Sequence, residues 1–95
     1  MYARITPFKM KPDSREAIES ELLRVKDQIL QLPGLSQFIH VINYDGSGYV
    51  VVLTELAEPS PDMARKIKAI WGAFGDFLEE IPRPSTFEVI ADWKT

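Results

Sequence analysis

The sequence predicts an α+β domain of the ferredoxin-like type: a four-stranded antiparallel sheet in βαββαβ order, with two helices on one face. Three observations carry that prediction. Apolar and polar residues alternate with period two at the start of the chain ("YARITPFKMK"), through its middle ("QFIHVINYDGSGYVVVLTEL") and at its end ("STFEVIADWK"). Between these stretches lie two longer ones whose apolar residues fall on a helical stripe. Proline, glycine and capping residues stand at the joins. Strand, helix, hairpin, helix, strand is the split βαβ order.

The first strand sets Tyr2, Arg4, Thr6, Phe8 and Met10 on one face and Ala3, Ile5, Pro7, Lys9 and Lys11 on the other. Pro7 has no N–H to donate, so an irregularity or bulge is expected there. Asp13 stands three residues before Glu16, a capping-box variant that opens the first helix, and Pro33-Gly34 stops it. Its stripe is Ile18, Leu22, Val25, Ile29 and Leu32, while Glu19, Glu21, Lys26 and Asp27 lie elsewhere. This helix therefore packs on one side only.

The second and third strands are expected over about residues 36–44 and 49–56. The turn between them is Asp45-Gly46-Ser47-Gly48, whose glycines supply the positive φ of a tight hairpin. Ser60 caps the second helix and Pro61 takes its first position. Met63, Ile67, Ile70, Trp71, Phe74, Leu78 and Ile81 keep its stripe. Gly72 and Gly75 interrupt it at about 1 kcal/mol each relative to alanine, which predicts a bend or break. In the last strand Phe87, Val89, Ala91 and Trp93 alternate with Glu88, Ile90 and Asp92.

Ninety-five residues make one domain, 1–95. A chain of that size buries only about 60 to 65% of its unfolded surface, so help from a partner is expected. The absence of cysteine removes disulfides, thiolate metal sites and thiol nucleophiles, and suits a reducing compartment; the cytoplasm is the expected location. No signal peptide or membrane span is read at the N-terminus. Fourteen acidic against eleven basic residues, a net charge of −3 and no block of like charge argue against nucleic acid as a partner.

The middle of the chain is apolar on both faces. Tyr49, Val51 and Leu53 oppose Val50, Val52 and Leu56, and Phe38 and Ile42 oppose Ile39 and Val41. Two helices cover one face only. At about 1.5 to 3 kcal/mol for each large side chain, the uncovered set amounts to about 10 to 15 kcal/mol, comparable with a domain's whole stability. The simplest cover is a second copy, sheet against sheet, in a homodimer.

The opening "FKMKPD", the turn "LPGLSQF", the strand "YVVVLTEL" and the helix "MARKIKAIWGAF", in that order, resemble the antibiotic biosynthesis monooxygenase family across the whole chain. That resemblance implies a dimeric α+β barrel with a pocket in each subunit between sheet and helices. It implies as activities the oxidation of phenolic polyketides to quinones without a cofactor, or haem degradation. The haem-degrading branch uses an asparagine, a tryptophan and a histidine at positions that match Thr6, Leu56 and Trp71 here, and none of these is kept. The tryptophan usual at the end of strand three in the wider family is also absent.

The candidate catalytic residues are His40 and Arg4. His40 is the only histidine, which gives no support to a haem or metal site; no metal and no cofactor are expected. It reads either as a seam residue bonded to a neighbour or as a general base for a phenol. Arg4 shares a face with apolar residues and needs an anion, either Glu55 or Asp92 or a substrate carboxylate or phenolate. The candidate substrate-binding residues are Thr6, Trp71, Phe74, Tyr49 and Asn43. Trp71 and Phe74, with Phe77, form either core or the wall of a flat aromatic cavity. Gly72 and Gly75 leave room beside Trp71. Two functions follow: an oxygenase acting on an aromatic, polyketide-like small molecule, or a non-catalytic dimer that binds a hydrophobic one or serves as an accessory to another protein; haem binding is a weaker third.

Overall fold

Alternation becomes pairing in the predicted order. A computed structural model describes residues 1–95, with β1 at Tyr2–Lys9, α1 at Arg15–Leu30, β2 at Leu35–Ile42, β3 at Ser47–Thr54, α2 at Pro61–Gly72 and β4 at Ser85–Glu88. The four strands pair antiparallel in the order β2-β3-β1-β4. This is the ferredoxin-like α+β fold.

The register gives each face its owners. Phe38, Val52, Arg4 and Thr86 form one row across the sheet, and His40, Val50 and Thr6 the next. Both rows look toward the helices, where Phe8, Met10, Val50, Ile18, Val25, Ile29 and Phe74 close into the core. Ile18, Val25 and Ile29 recur at helical spacing along α1, which is how a helix with a polar outer side comes to bury one stripe. The opposite rows, Gln37-Leu53-Ala3-Phe87, Ile39-Val51-Ile5-Ser85 and Val41-Tyr49-Pro7, have no element over them.

Several local expectations are corrected. Pro7 makes no bulge: β1 runs unbroken, and β4 pairs only as far as Ile5, so at Pro7 the strand is an edge on that side and tolerates a residue without N–H. The irregularity lies instead in β2, between Leu35 and Gln37. Asp13 does not cap α1. It takes a left-handed turn conformation, φ 64°, and Ser14 stands at the N-cap without a side-chain cap bond. Ser60 does cap α2, its Oγ accepting from the Met63 N–H at 3.2 Å.

The hairpin turn is Asn43–Gly46, closed by Gly46 N–H to the Asn43 carbonyl at 3.0 Å and Asn43 N–H to the Ser47 carbonyl at 2.8 Å. Gly46 supplies the positive φ, 92°, while Gly48 belongs to β3. A Cβ on Gly48 would collide with the Val41 carbonyl oxygen and come within 2.7 Å of Phe8 Cζ, so its role is close approach. The last strand is shorter than expected. Glu88 pairs with Tyr2 and Val89 N–H reaches the Met1 carbonyl at 3.1 Å, so the ladder stops where β1 starts. Ile90 and Trp93 are left exposed.

Candidate functional site

A cavity of about 380 Å³ lies between the inner sheet face and α2, within the range of small-molecule sites. The floor comes from Arg4 and Thr6 on β1, Phe38 and His40 on β2, and Val50, Val52 and Thr54 on β3. Alternation explains the set: every second residue of three neighbouring strands looks the same way. Met63, Ala64, Ile67, Lys68 and Trp71 form the opposite wall. Their spacing of three and four residues is one helix face. Ile81, Pro82 and Pro84 stand at one margin.

His40 is the chemically distinctive member. Its ring stacks on Phe8 with centroids 4.9 Å apart and planes 22° from parallel. Its Nε2 is buried and has no hydrogen-bond partner. Burial holds its pKa below the ordinary 6.5, because the surroundings disfavour the charged imidazolium. The neutral ring therefore keeps an imidazole nitrogen aimed at no protein group, the condition a proton acceptor requires.

An aromatic chain continues from it. Phe8 meets Trp71 at 6.2 Å, and Trp71 meets Phe74 edge-on at 6.5 Å. Flat rings already line this space, which favours a flat occupant.

The cavity's charge is one-sided. Arg4 and Lys68 are its only charged lining residues. Neither forms an ion pair or a hydrogen bond with the protein. Arg4 thus lacks both internal partners expected of it: Asp92 pairs with Lys94 at 3.0 Å, and Glu55 makes no bridge. Of the other sequence-derived candidates, Thr6, Trp71 and Phe74 join His40 and Arg4 around the cavity. Tyr49 and Asn43 do not. Tyr49 points to the uncovered face by strand alternation, and Asn43 sits in the exposed hairpin turn; both border a separate shallow depression with Pro7 and Val41.

Sequence reasoning passed over Phe8 and Lys68. Phe8 shares the parity of Arg4 and Thr6, and Lys68 falls four residues after Ala64 and three before Trp71, so both were within reach of periodicity alone. Gly72 ends α2 facing no neighbour, and Gly75 lies in the following turn near the Gly72 carbonyl.

Thr6, Leu56 and Trp71 all border the cavity. An indole offers only an N–H donor, so Trp71 gives α2 no axial ligand for a haem iron, and these residues do not fit haem in that mode. No group of three or more His, Cys, Asp or Glu side chains stands together where it could hold a metal ion. No helix is long and apolar enough to cross a membrane.

The fold thus sets a mostly apolar cavity with two cationic lining residues beneath its second helix. Solved structures share this fold. The chain is similar to a protein named "Putative antibiotic biosynthesis monooxygenase" from Bordetella bronchiseptica, with a TM-score of 0.78 and 10% identity over 95% of this chain and 97% of that one. It is similar to another of that name from Caulobacter crescentus, with a TM-score of 0.68 and 16% identity over 95% and 90%. A mutant of MhuD with two manganese protoporphyrin IX molecules bound per active site matches at a TM-score of 0.68 and 13% identity over the whole of both chains. No protein-family model and no curated protein matches the chain.

Proposed function

We propose that this chain is the subunit of a homodimeric monooxygenase of the antibiotic biosynthesis type, which oxidises an electron-rich aromatic small molecule without a bound cofactor. One observation carries the reading: a histidine that lines an apolar, aromatic-walled cavity, its pKa lowered by burial and its buried Nε2 without a partner. In this reaction His40 takes a proton from a phenol or an activated ring methylene. The resulting anion supplies the electrons that reduce dioxygen, one oxygen atom stays as the new carbonyl, and the other leaves as water with the two hydrogens the substrate loses, the methylene pair or the phenol's O–H and one ring C–H. Low polarity around His40 keeps the ring unprotonated and the anion reactive. Trp71 and Phe74 stack on the substrate.

The fold shared with proteins that carry the monooxygenase name supports this reading. The uncovered sheet face supports the dimer, with Ile39, Val41, Tyr49 and Phe87 exposed on it. A second reading, a binding dimer without turnover, is favoured by the departures at Thr6, Leu56 and Trp71 from the residues that haem-degrading relatives use. Oxygen uptake with anthrone as substrate separates the two. Consumption of one dioxygen per anthrone by wild type and its loss in His40→Ala would support the enzyme. Equal rates in both above the protein-free control would take His40 out of the chemistry, and no rate above that control in wild type would leave only binding.

A further inference from the structure

Arg4 sits on β1, an interior strand, with its backbone fixed between Val52 on one side and Thr86 on the other. It is half-buried on the floor of a mostly apolar cavity and bonds to no protein group. The same-face carboxylate diagonal to it across the β1–β4 pairing, Glu88, is exposed and makes no bridge to it. Lys68, the other charged lining residue, is equally unpaired. The lining therefore carries two positive charges and no negative one, inside a protein whose net charge is −3.

A guanidinium in such surroundings is costly unless an anion meets it, and its planar fork fits a carboxylate or similar oxyanion better than a point charge does. We infer that the cavity is built for an anionic amphiphile: an aromatic carboxylate whose head pairs with Arg4 and whose ring body lies toward Trp71 and His40. This rests on the pocket proposed above and adds its substrate class and its direction. The sheet sets the scale. Arg4 and His40 lie two strands and one inward-facing row apart, about 12 Å between Cα atoms at ordinary strand spacing and rise. Arg4 thus holds the end of the molecule remote from the proton that His40 removes. Lys68, on a helix and exposed, contributes field at the mouth rather than a fixed contact.

The test is calorimetric titration of the full chain with an anthracene carboxylate and with its methyl ester, for wild type, Arg4→Gln, Arg4→Lys and Lys68→Gln. The inference expects wild type to prefer the carboxylate by about ten- to hundredfold. Arg4→Gln cuts the preference to about threefold, the share that Lys68 supplies at low salt, while holding the ester as before, which also certifies that the variant is folded. Arg4→Lys restores part of the preference, and Lys68→Gln lowers it only about threefold, an effect that vanishes in high salt. Equal affinity of wild type for acid and ester overturns the inference and leaves the pocket reading intact. A parallel loss of both ligands in Arg4→Gln with an unchanged circular dichroism spectrum also overturns it. Binding of neither ligand to wild type overturns the pocket itself, and the inference with it.

Discussion

Replacing Ile39 by aspartate is the sharpest perturbation of the uncovered face. Ile39 lies on β2 beside Val51 and Ile5, and 39% of its surface remains open in the single chain. With Val41, Tyr49 and Phe87, open to 46%, 52% and 52%, it leaves apolar surface worth about two whole side chains, or about 3 to 6 kcal/mol per copy and twice that across a two-fold axis. Association itself costs about 4 to 15 kcal/mol, so this face alone is marginal. Ile90 and Trp93, open to 96% and 93%, lie beyond the end of β4 and are not counted in that sum. The Ile39→Asp substitution forfeits the isoleucine's share and sets an unpaired carboxylate in the seam, at several kcal/mol for each ion and twice per dimer. A loss of at least about 4 kcal/mol follows, or about a thousandfold in Kd. Sedimentation at micromolar concentration should show wild type at twice 10.8 kDa and Ile39→Asp at 10.8 kDa. The variant should keep its circular dichroism, because the position is on the surface of the subunit. A wild type at 10.8 kDa, or a variant that pairs as tightly as wild type, refutes the reasoning.

The His40→Phe substitution removes a buried nitrogen without a partner, keeps a ring to stack on Phe8, and should leave stability unchanged or raise it by about 1 kcal/mol while ending oxygen uptake. Thermal melts and an oxygen electrode read the two effects; a large drop in Tm would show that Nε2 has a structural partner after all. Because folding lowers the pKa of His40, the unfolded chain takes up its proton first as pH falls from about 6.5, so wild type should lose stability below that pH and His40→Phe should lose less. Denaturant melts at pH 7 and pH 5 measure the difference, and parallel losses would contradict it. Oxygen uptake should likewise hold steady down to a lower pH than a free imidazole allows. Gly48→Ala should destabilise by more than about 2 kcal/mol through its clash with Val41 and Phe8, whereas Gly72→Ala, facing open space, should be neutral or stabilising by less than about 1 kcal/mol. Comparable effects of the two on denaturant midpoints would count against both assignments. Ser60→Ala should cost about 1 kcal/mol through the lost bond to Met63 N–H, read in the same melts.

Much of this architecture is legible in the chain because single residues encode single local needs. Ser60 and Pro61 mark a helix start by capping chemistry, and the Arg4–Thr6–Phe8 parity puts two cavity residues and the ring that stacks on His40 on one face before any fold is known. The side of His40 was not legible. Its strand is apolar on both faces, so alternation separates Phe38, His40 and Ile42 from Ile39 and Val41 without saying which set meets the helices. Tyr49 and Asn43 fall outside the cavity for a related reason: polar tips on aromatic and amide side chains suit a pocket, a turn and an outer sheet face equally. Asp13 and Pro7 misled because a cap and a bulge depend on backbone angles and on where the neighbouring strand ends. The freedom of Arg4 from protein anions is a fact of three dimensions, since Glu55, Glu88 and Asp92 are all near enough in sequence pattern to have paired with it.

The presence of one histidine allows a direct measurement of the central claim, that the space between sheet and α2 receives an aromatic molecule against His40. A chain uniformly labelled with nitrogen-15 gives one imidazole spin system, which can be followed while an anthracene carboxylate is added at pH 7. The account predicts that both ring nitrogens begin in the neutral pattern and that their resonances, with the Trp71 indole, move together and saturate. Imidazole signals that stay fixed while the ligand binds elsewhere, or that begin in the protonated pattern at pH 7, would contradict it.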